Sequence, residues 1–167
     1  MTDKTEKLLD LLGYPATSEE LTNYTSQINI HISEELKLES GDFTASIERE
    51  NDGFALNFTD EAYFLDKDNL PIGKGKLFYS GIFFHSEGKD SYKEYKGKLP
   101  FSLSFTDTHS DAVNKLGLQS WQRLADDGVR VISDRWDNIP NVKYRIHITY
   151  DKQTGRISII CIYIPNK

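Results

Sequence analysis

The chain has 167 residues, and its 20 Lys and Arg against 26 Asp and Glu give a formal charge of −6. This length suits one globular domain that buries roughly 70% of its unfolded surface without a structural metal or disulfide. The acidic balance argues against nucleic acid as a partner, because that interaction needs clustered Lys and Arg. A single cysteine, Cys161, excludes an internal disulfide.

Hydropathy gives an expectation about location. The apolar stretches are only a few residues long, far below the roughly 20 residues of a membrane-spanning helix. The opening residues lack the apolar core that is typical of a secretory signal. We therefore expect a cytoplasmic protein that has no membrane partner.

Two short helices and a strand are predicted near the N-terminus. Leucines form an apolar stripe over about 4–12, and Gly13 favours a helix stop directly after it. Thr17 heads a Thr-x-x-Glu capping box, which predicts a second helix over about 18–26. Alternating isoleucines then predict a strand over 28–32.

Alternation also predicts two hairpins in the first half. Apolar residues alternate over 43–47 and again over 54–58, and Asn-Asp-Gly lies between the two segments. The segment 77–84 has strand character, and 92–95 is predicted as the strand that returns beside it.

The second half repeats the pattern of a helix followed by strands. Alternation over 101–105 predicts a strand, and the spacing of Thr108 and Asp111 predicts a capped helix that ends at Gly117. Three further strands are predicted, and a turn over 151–155 joins the last two into a hairpin. These strands are 129–136, 142–150 and 156–164.

The fold class follows from these elements. We predict an α+β fold in which short helices pack on an antiparallel sheet, with 1–167 as a single domain. The strand at 156–164 is apolar on both faces and should be central. Each half opens with a helix that ends in Leu-Gly, so tandem sub-repeats 1–96 and 97–167 stay open as an alternative.

No spacing in the sequence indicates a catalytic or metal site. The four histidines do not cluster, and there is no His-Glu-x-x-His, Cys-x-x-Cys, phosphate loop or Gly-x-Ser-x-Gly. The string 107–111 holds His109 among acids and hydroxyls, but a helix cap explains it better than a catalytic triad does. We predict a protein that is not an enzyme and that uses no metal or cofactor.

A thiol and imidazole pair is a further catalytic alternative. His147 and Cys161 lie on strands that should pair, yet the expected register places His147 opposite Ile159 and leaves Cys161 on the diagonal. A cysteine flanked by isoleucines is typical of a buried, unreactive thiol.

One segment, 60–76, mixes acids with aromatics and is predicted as a long exposed loop. Such a loop would attract a basic partner, while a merely solvated loop is the alternative. Trp136 is expected in the core, whereas Trp121 suits a core or a binding role equally. The candidate partner-binding residues are Asp60, Glu61, Tyr63, Phe64, Asp66 and Asp68.

Four longer strings carry a family resemblance over most of the chain. They are Phe-Ala-Leu-Asn-Phe-Thr-Asp-Glu-Ala-Tyr-Phe (54–64), the Gly-Lys-Leu-Pro-Phe to Lys-Leu-Gly segment (97–117), Ser-Asp-Arg-Trp-Asp (133–137) and His-Ile-Thr-Tyr-Asp (147–151). Their pattern resembles uncharacterised bacterial proteins that look like immunity proteins of polymorphic or contact-dependent toxin systems. The layout is also similar to the β-lactamase-inhibitor-protein fold.

The resemblance implies a function but no site. It implies an intracellular immunity protein that binds a cognate toxin domain stoichiometrically and covers its active site. A basic nuclease toxin would suit an acidic inhibitor, because carboxylates can occupy positions meant for phosphates. The alternative is a non-enzymatic protein-binding or assembly module of another pathway. The sequence does not predict the oligomeric state.

Overall fold

A computed structural model describes residues 3–67 and 69–165. These residues form an α+β fold, as predicted, with short helices and one antiparallel sheet. The helices are α1 Lys4–Asp10, α2 Glu19–Gln27, α3 Ile32–Glu35, α4 Glu61–Phe64 and α5 His109–Leu116. The strands are β1 Thr44–Arg49, β2 Phe54–Asp60, β3 Leu77–His85, β4 Trp121–Leu124, β5 Val131–Trp136, β6 Arg145–Tyr150 and β7 Ile157–Tyr163.

The two N-terminal helices are confirmed, with one change of cap. The Asp3 carboxylate accepts the Thr5 backbone N–H at 2.9 Å at the start of α1. The cap of helix α2 lies one residue later than predicted, because the Ser18 hydroxyl, not that of Thr17, accepts the Leu21 backbone N–H. The predicted Thr17 capping box is therefore wrong.

The predicted strand over 28–32 is also wrong. Helix α3 begins at Ile32, and the segment before it is a turn in which Asn29 has φ of +59°. Ile30 and Ile32 are both buried in the core. The isoleucines alternate because a turn and the short helix after it both pack on the core, and not because they form a strand.

The β1–β2 hairpin is confirmed. Ala45 pairs with Phe58 and Ile47 pairs with Leu56, and the paired side chains face the core. The connection is a single turn of 3₁₀ helix followed by Gly53, whose φ is +76°. A side chain at Gly53 would overlap the Tyr95 backbone, so the turn requires glycine.

Two predicted strands in the middle of the chain are wrong. The segment 92–95 is not a strand of the sheet, in which β2 and β7 lie beside β3, although the Tyr95 N–H donates to the His85 carbonyl at 3.0 Å. Its Tyr95 instead packs on the Phe84 ring at a centroid distance of 4.6 Å. The segment 101–105 is not a strand either, because Phe101 and Ser102 have positive φ.

The second half agrees more closely with prediction. The Thr108 capping box is confirmed, since its backbone N–H donates to the Asp111 carboxylate at 2.9 Å, and α5 ends at Gly117. The three predicted C-terminal strands and the hairpin over 151–155 are present as β5, β6 and β7. Strand β4 was not predicted.

Strand β7 is central, as its two apolar faces predicted. The sheet order is β1-β2-β3-β7-β6-β5-β4, with β1 and β4 at the edges. Ile160 and Ile162 of β7 are fully buried in one core with the leucines of α1 and α2. Strands from 1–96 and from 97–167 share this one sheet, and tandem repeats are not shown.

Candidate functional site

Three of the predicted partner-binding residues, Glu61, Tyr63 and Phe64, lie on α4, and Asp60 lies directly before it. Asp60 ends β2 and caps α4, because its Oδ1 accepts the Ala62 backbone N–H at 3.1 Å. Phe64 stacks on Phe78 with ring centroids 5.0 Å apart. Asp60 and Phe64 are shielded from solvent. The prediction that 60–76 is a long exposed loop is therefore wrong for these two side chains.

Three of the other predicted residues reach the surface. Glu61 is half-buried, and its Oε1 lies 3.7 Å from the Lys67 ammonium. Tyr63 is 43% exposed, and Asp66 is exposed with φ of +50°. Asp68 lies outside the described residues. The structure thus keeps Glu61, Tyr63 and Asp66 as candidates.

Tyr63 forms an exposed aromatic pair with a residue that sequence reasoning missed. Its ring stacks on Phe43 at a centroid distance of 4.3 Å, and Phe43 is 40% exposed. Asp42, beside Phe43 in sequence, is also exposed. We call these residues the acidic aromatic patch: Asp42, Phe43, Glu61, Tyr63 and Asp66. The sequence predicts Phe43 within the alternating strand 43–47, and no pattern in the sequence indicates that it lies next to α4.

Four exposed apolar residues lie on β4 or near it in sequence. Trp136 lies in the core, as predicted, and its Nε1 donates to the Gly117 carbonyl at 2.9 Å. Trp121 on β4 is instead 40% exposed. Three aliphatic residues on β4 or in the neighbouring sequence are more than 40% exposed as well. We call these residues the β4 edge patch: Leu118, Trp121, Leu124 and Val129.

A buried carboxylate links α5 to the sheet. Asp134 of β5 has no exposed surface, and its Oδ2 lies 2.6 Å from Nδ1 of His109. The Tyr150 hydroxyl donates to the same oxygen at 2.8 Å, and the Gln122 amide donates to Oδ1 at 3.1 Å. Burial, followed by the Asp134 bond, raises the pKa of Tyr150.

This cluster has the contacts of a structural anchor, because one buried carboxylate accepts hydrogen bonds from α5, β4 and β6. Within the described ranges, the one side-chain hydrogen bond of His109 goes to Asp134. Sequence reasoning identified the cap at Thr108 but had no signal for the contact between His109 and a residue on β5.

The thiol and imidazole pair is closer than predicted but chemically unsuited to catalysis. His147 pairs directly with Cys161, so the expected diagonal register is wrong; an irregularity between Thr149 and Tyr150 shifts the pairing. Burial raises the pKa of Cys161 to about 12. Burial and then Arg135 lower the pKa of His147. Both shifts favour the neutral groups and oppose a thiolate–imidazolium pair.

A cavity of about 620 Å³ lies between α1 and the segments 98–102 and 141–144. Phe101, Ser102 and Asn141 line it with positive φ, a conformation that is costly for residues other than glycine. Glu6 and Asp10 are exposed at its wall, where water solvates their charge. The lining also holds three carboxylates, from Asp3, Glu6 and Asp10, and two ammonium groups, from Lys98 and Lys143, but no imidazole or thiol.

Two further tests concern ions and membranes. Across residues 3–67 and 69–165, no group of three or more His, Cys, Asp and Glu is placed to hold a metal ion. The described helices include none with the length and apolar character to cross a membrane.

Comparison with protein-family models, curated proteins and solved structures gives no match. The surfaces of the chain itself must therefore indicate its function.

Proposed function

We propose that this chain is a cytoplasmic immunity protein, which binds a cognate bacterial toxin domain one-to-one and covers its active site or substrate route. The observation that carries the proposal is the acidic aromatic patch. A stacked aromatic pair at the surface, bordered by carboxylates, is suited to recognition of another protein and supplies no reactive group.

The aromatic pair would provide most of the affinity. Aromatic side chains are enriched at interface hot spots, where truncation to alanine costs about 2 kcal/mol or more. Phe43 and Tyr63 already stack on each other in the free chain. Binding would therefore order few additional rotamers, which lowers the entropic cost of association.

The carboxylates would favour a basic partner and raise the rate at which it associates. Exposed charges such as Asp42 and Asp66 are screened by salt, so they act mainly on the rate of association with a basic partner. The formal charge of −6 acts in the same direction. A nuclease toxin presents a basic, phosphate-binding surface, which is why we propose a nuclease as the partner.

The proposal is tested with the toxin domain encoded by the gene immediately upstream. Calorimetry of the purified pair should give a one-to-one complex, and co-expression should protect cells from the toxin. Tyr63→Ala and Phe43→Ala should each weaken binding by about 30-fold, as expected for hot-spot residues.

Trp121→Ala is the matched control, because Trp121 is an aromatic residue of similar exposure at the opposite edge of the sheet. It should leave toxin binding unchanged. A lone gene without a toxin neighbour, or a neighbour that neither binds nor is neutralised, would contradict the proposal. Loss of binding in Trp121→Ala alone would move the interface away from the acidic aromatic patch.

The β4 edge patch supports a second candidate function, a non-enzymatic protein-binding or assembly module. Leu118 and Val129 are 84% and 81% exposed, and a partner bound at this edge of the sheet would remove their apolar surface from water. Such a module would associate with a partner, or with itself, in the absence of any toxin.

A further inference from the structure

The two edges of the sheet differ in a way that points to self-association. Edge strand β1 exposes Thr44, Ser46 and Glu48, polar residues that discourage pairing with another sheet. Edge strand β4 exposes the apolar Trp121 and Leu124 beside one charged residue, Arg123. We propose that a second copy of this chain pairs with β4, so that two sheets join edge to edge about a two-fold axis at Gln122.

The hydrogen bonds of β5 show which backbone groups of β4 are free. The Arg135 carbonyl accepts the Ser120 N–H at 2.7 Å, so the backbone groups of Arg135 point toward β4. Arg135 pairs with Trp121, and backbone groups alternate in direction along a strand. Trp121 and Arg123 therefore face β5, while Gln122 and Leu124 direct their N–H and C=O groups to the free edge.

Three antiparallel registers use these free groups. In one, Gln122 lies opposite the partner's Leu124, which places Arg123 directly beside the partner's Arg123. Like charges directly opposite each other destabilise an antiparallel pair. In a second register Gln122 lies opposite the partner's Gln122, and in a third Leu124 lies opposite the partner's Leu124; neither of these contains the clash.

The second register also creates an attractive pair twice. Trp121 then lies beside the partner's Arg123 at a non-hydrogen-bonded position, where Cα atoms are about 4.5 Å apart. A guanidinium against an indole face is a favourable cation–π contact. Trp121 already has the Arg135 guanidinium 5.5 Å from its ring centre, so this indole is oriented to accept cations. Each strand supplies both members of this pair, Trp121 and Arg123, so a second copy of β4 fits the register centred on Gln122.

Sedimentation equilibrium of the full chain tests the proposal between about 1 µM and 1 mM, the range in which weak dimers dissociate. We expect a monomer–dimer equilibrium. Trp121→Ala removes both cation–π contacts and should weaken the dimer by about tenfold. Ser46→Ala, at the other edge strand, is the matched control and should leave the equilibrium unchanged.

Cysteine cross-linking tests the register. In a hydrogen-bonded antiparallel pair the Cα atoms are about 5.5 Å apart, within disulfide range, so oxidised Gln122→Cys should give a covalent dimer. In Arg123→Cys the two new cysteines would lie on a diagonal beyond about 7 Å and should not cross-link. Cys161 is present in both variants, so it cannot account for a difference between them.

The outcomes separate clearly. A monomer at every concentration would overturn the proposal, as would a dimer that is unaffected by Trp121→Ala. Equal cross-linking of the two cysteine variants would overturn the register. If Gln122→Cys unfolds because it loses the bond to Asp134, the sedimentation of Trp121→Ala still decides whether β4 is the interface. None of these measurements involves the toxin, so they stand apart from the proposed function.

Discussion

Asp134 is the polar centre that holds α5 against the sheet, and Asp134→Ala should lower the free energy of unfolding by about 3 kcal/mol. The carboxylate is fully buried and accepts three side-chain hydrogen bonds. Its removal leaves the buried Tyr150 hydroxyl without an acceptor. The loss in the free energy of unfolding should therefore be far larger than for a typical surface substitution.

The magnitude follows from the burial of each partner. The Tyr150 bond is buried and goes to a charged acceptor, so it is worth about 1.5 to 3 kcal/mol. The bonds from His109 and Gln122 are partly exposed, and solvent screening reduces each to about 0.5 to 1 kcal/mol. Part of this loss is offset, because the variant no longer has to remove a charged carboxylate from water on folding.

Urea unfolding followed by far-UV circular dichroism measures the effect, provided that the slope of the free energy with denaturant is unchanged. Asp134→Asn is the control, because its amide oxygen still accepts from Tyr150; it should cost about 1 kcal/mol. If Asp134→Ala lies within about 1 kcal/mol of the parent chain, or if both variants cost the same, the carboxylate is not the anchor that we describe.

Three further predictions concern single residues. Folded Cys161 should resist iodoacetamide at about pH 8 and react in urea, because burial raises its pKa to about 12; equal rates would contradict this. Burial lowers the pKa of His85, so the unfolded chain binds the proton more readily and stability should fall as the pH drops through about 6.5. Urea midpoints of His85→Phe should depend less on pH below that value, and an unchanged dependence would exclude His85 as the cause. Gly53→Ala should destabilise the chain several times more than Gly128→Ala, for which we expect about 1 kcal/mol, since both glycines have positive φ but only a Cβ at Gly53 overlaps Tyr95. Equal losses would show that the overlap has no effect.

Local signals predicted the elements that depend on neighbours in sequence. The Thr108 cap, the hairpin turn at Gly53 and the turn over 151–155 each need only a few residues to form. The central place of β7 followed from apolar residues on both of its faces, a property that an edge strand cannot have.

Alternation failed where burial occurs without a partner strand. Ile30, Tyr95 and Leu103 are all buried, yet none lies in a strand. The two sides of β3 are occupied by β2 and β7, so 92–95 has no place in the sheet. Apolar residues at every second position indicate which side chains are buried. Which strands pair with one another is decided by distant parts of the chain.

The candidate surfaces were only partly predictable for the same reason. The sequence indicated Tyr63 but not Phe43, because the hairpin and α4 bring them together. Asp60 and Phe64 were expected at the surface, and the turn into α4 buries both. The contact between His109 and Asp134 spans 25 residues and depends on how α5 docks, which no local pattern records.

The position of β7 has a consequence for biosynthesis. It is the last strand of the sheet to be translated, yet β3 and β6 both pair with it. A nascent chain on the ribosome therefore carries two separate three-stranded ladders, β1-β2-β3 and β6-β5-β4, which cannot join until β7 is made. Unfilled ladders are prone to aggregate, so we expect this chain to depend on chaperones until its final strand emerges.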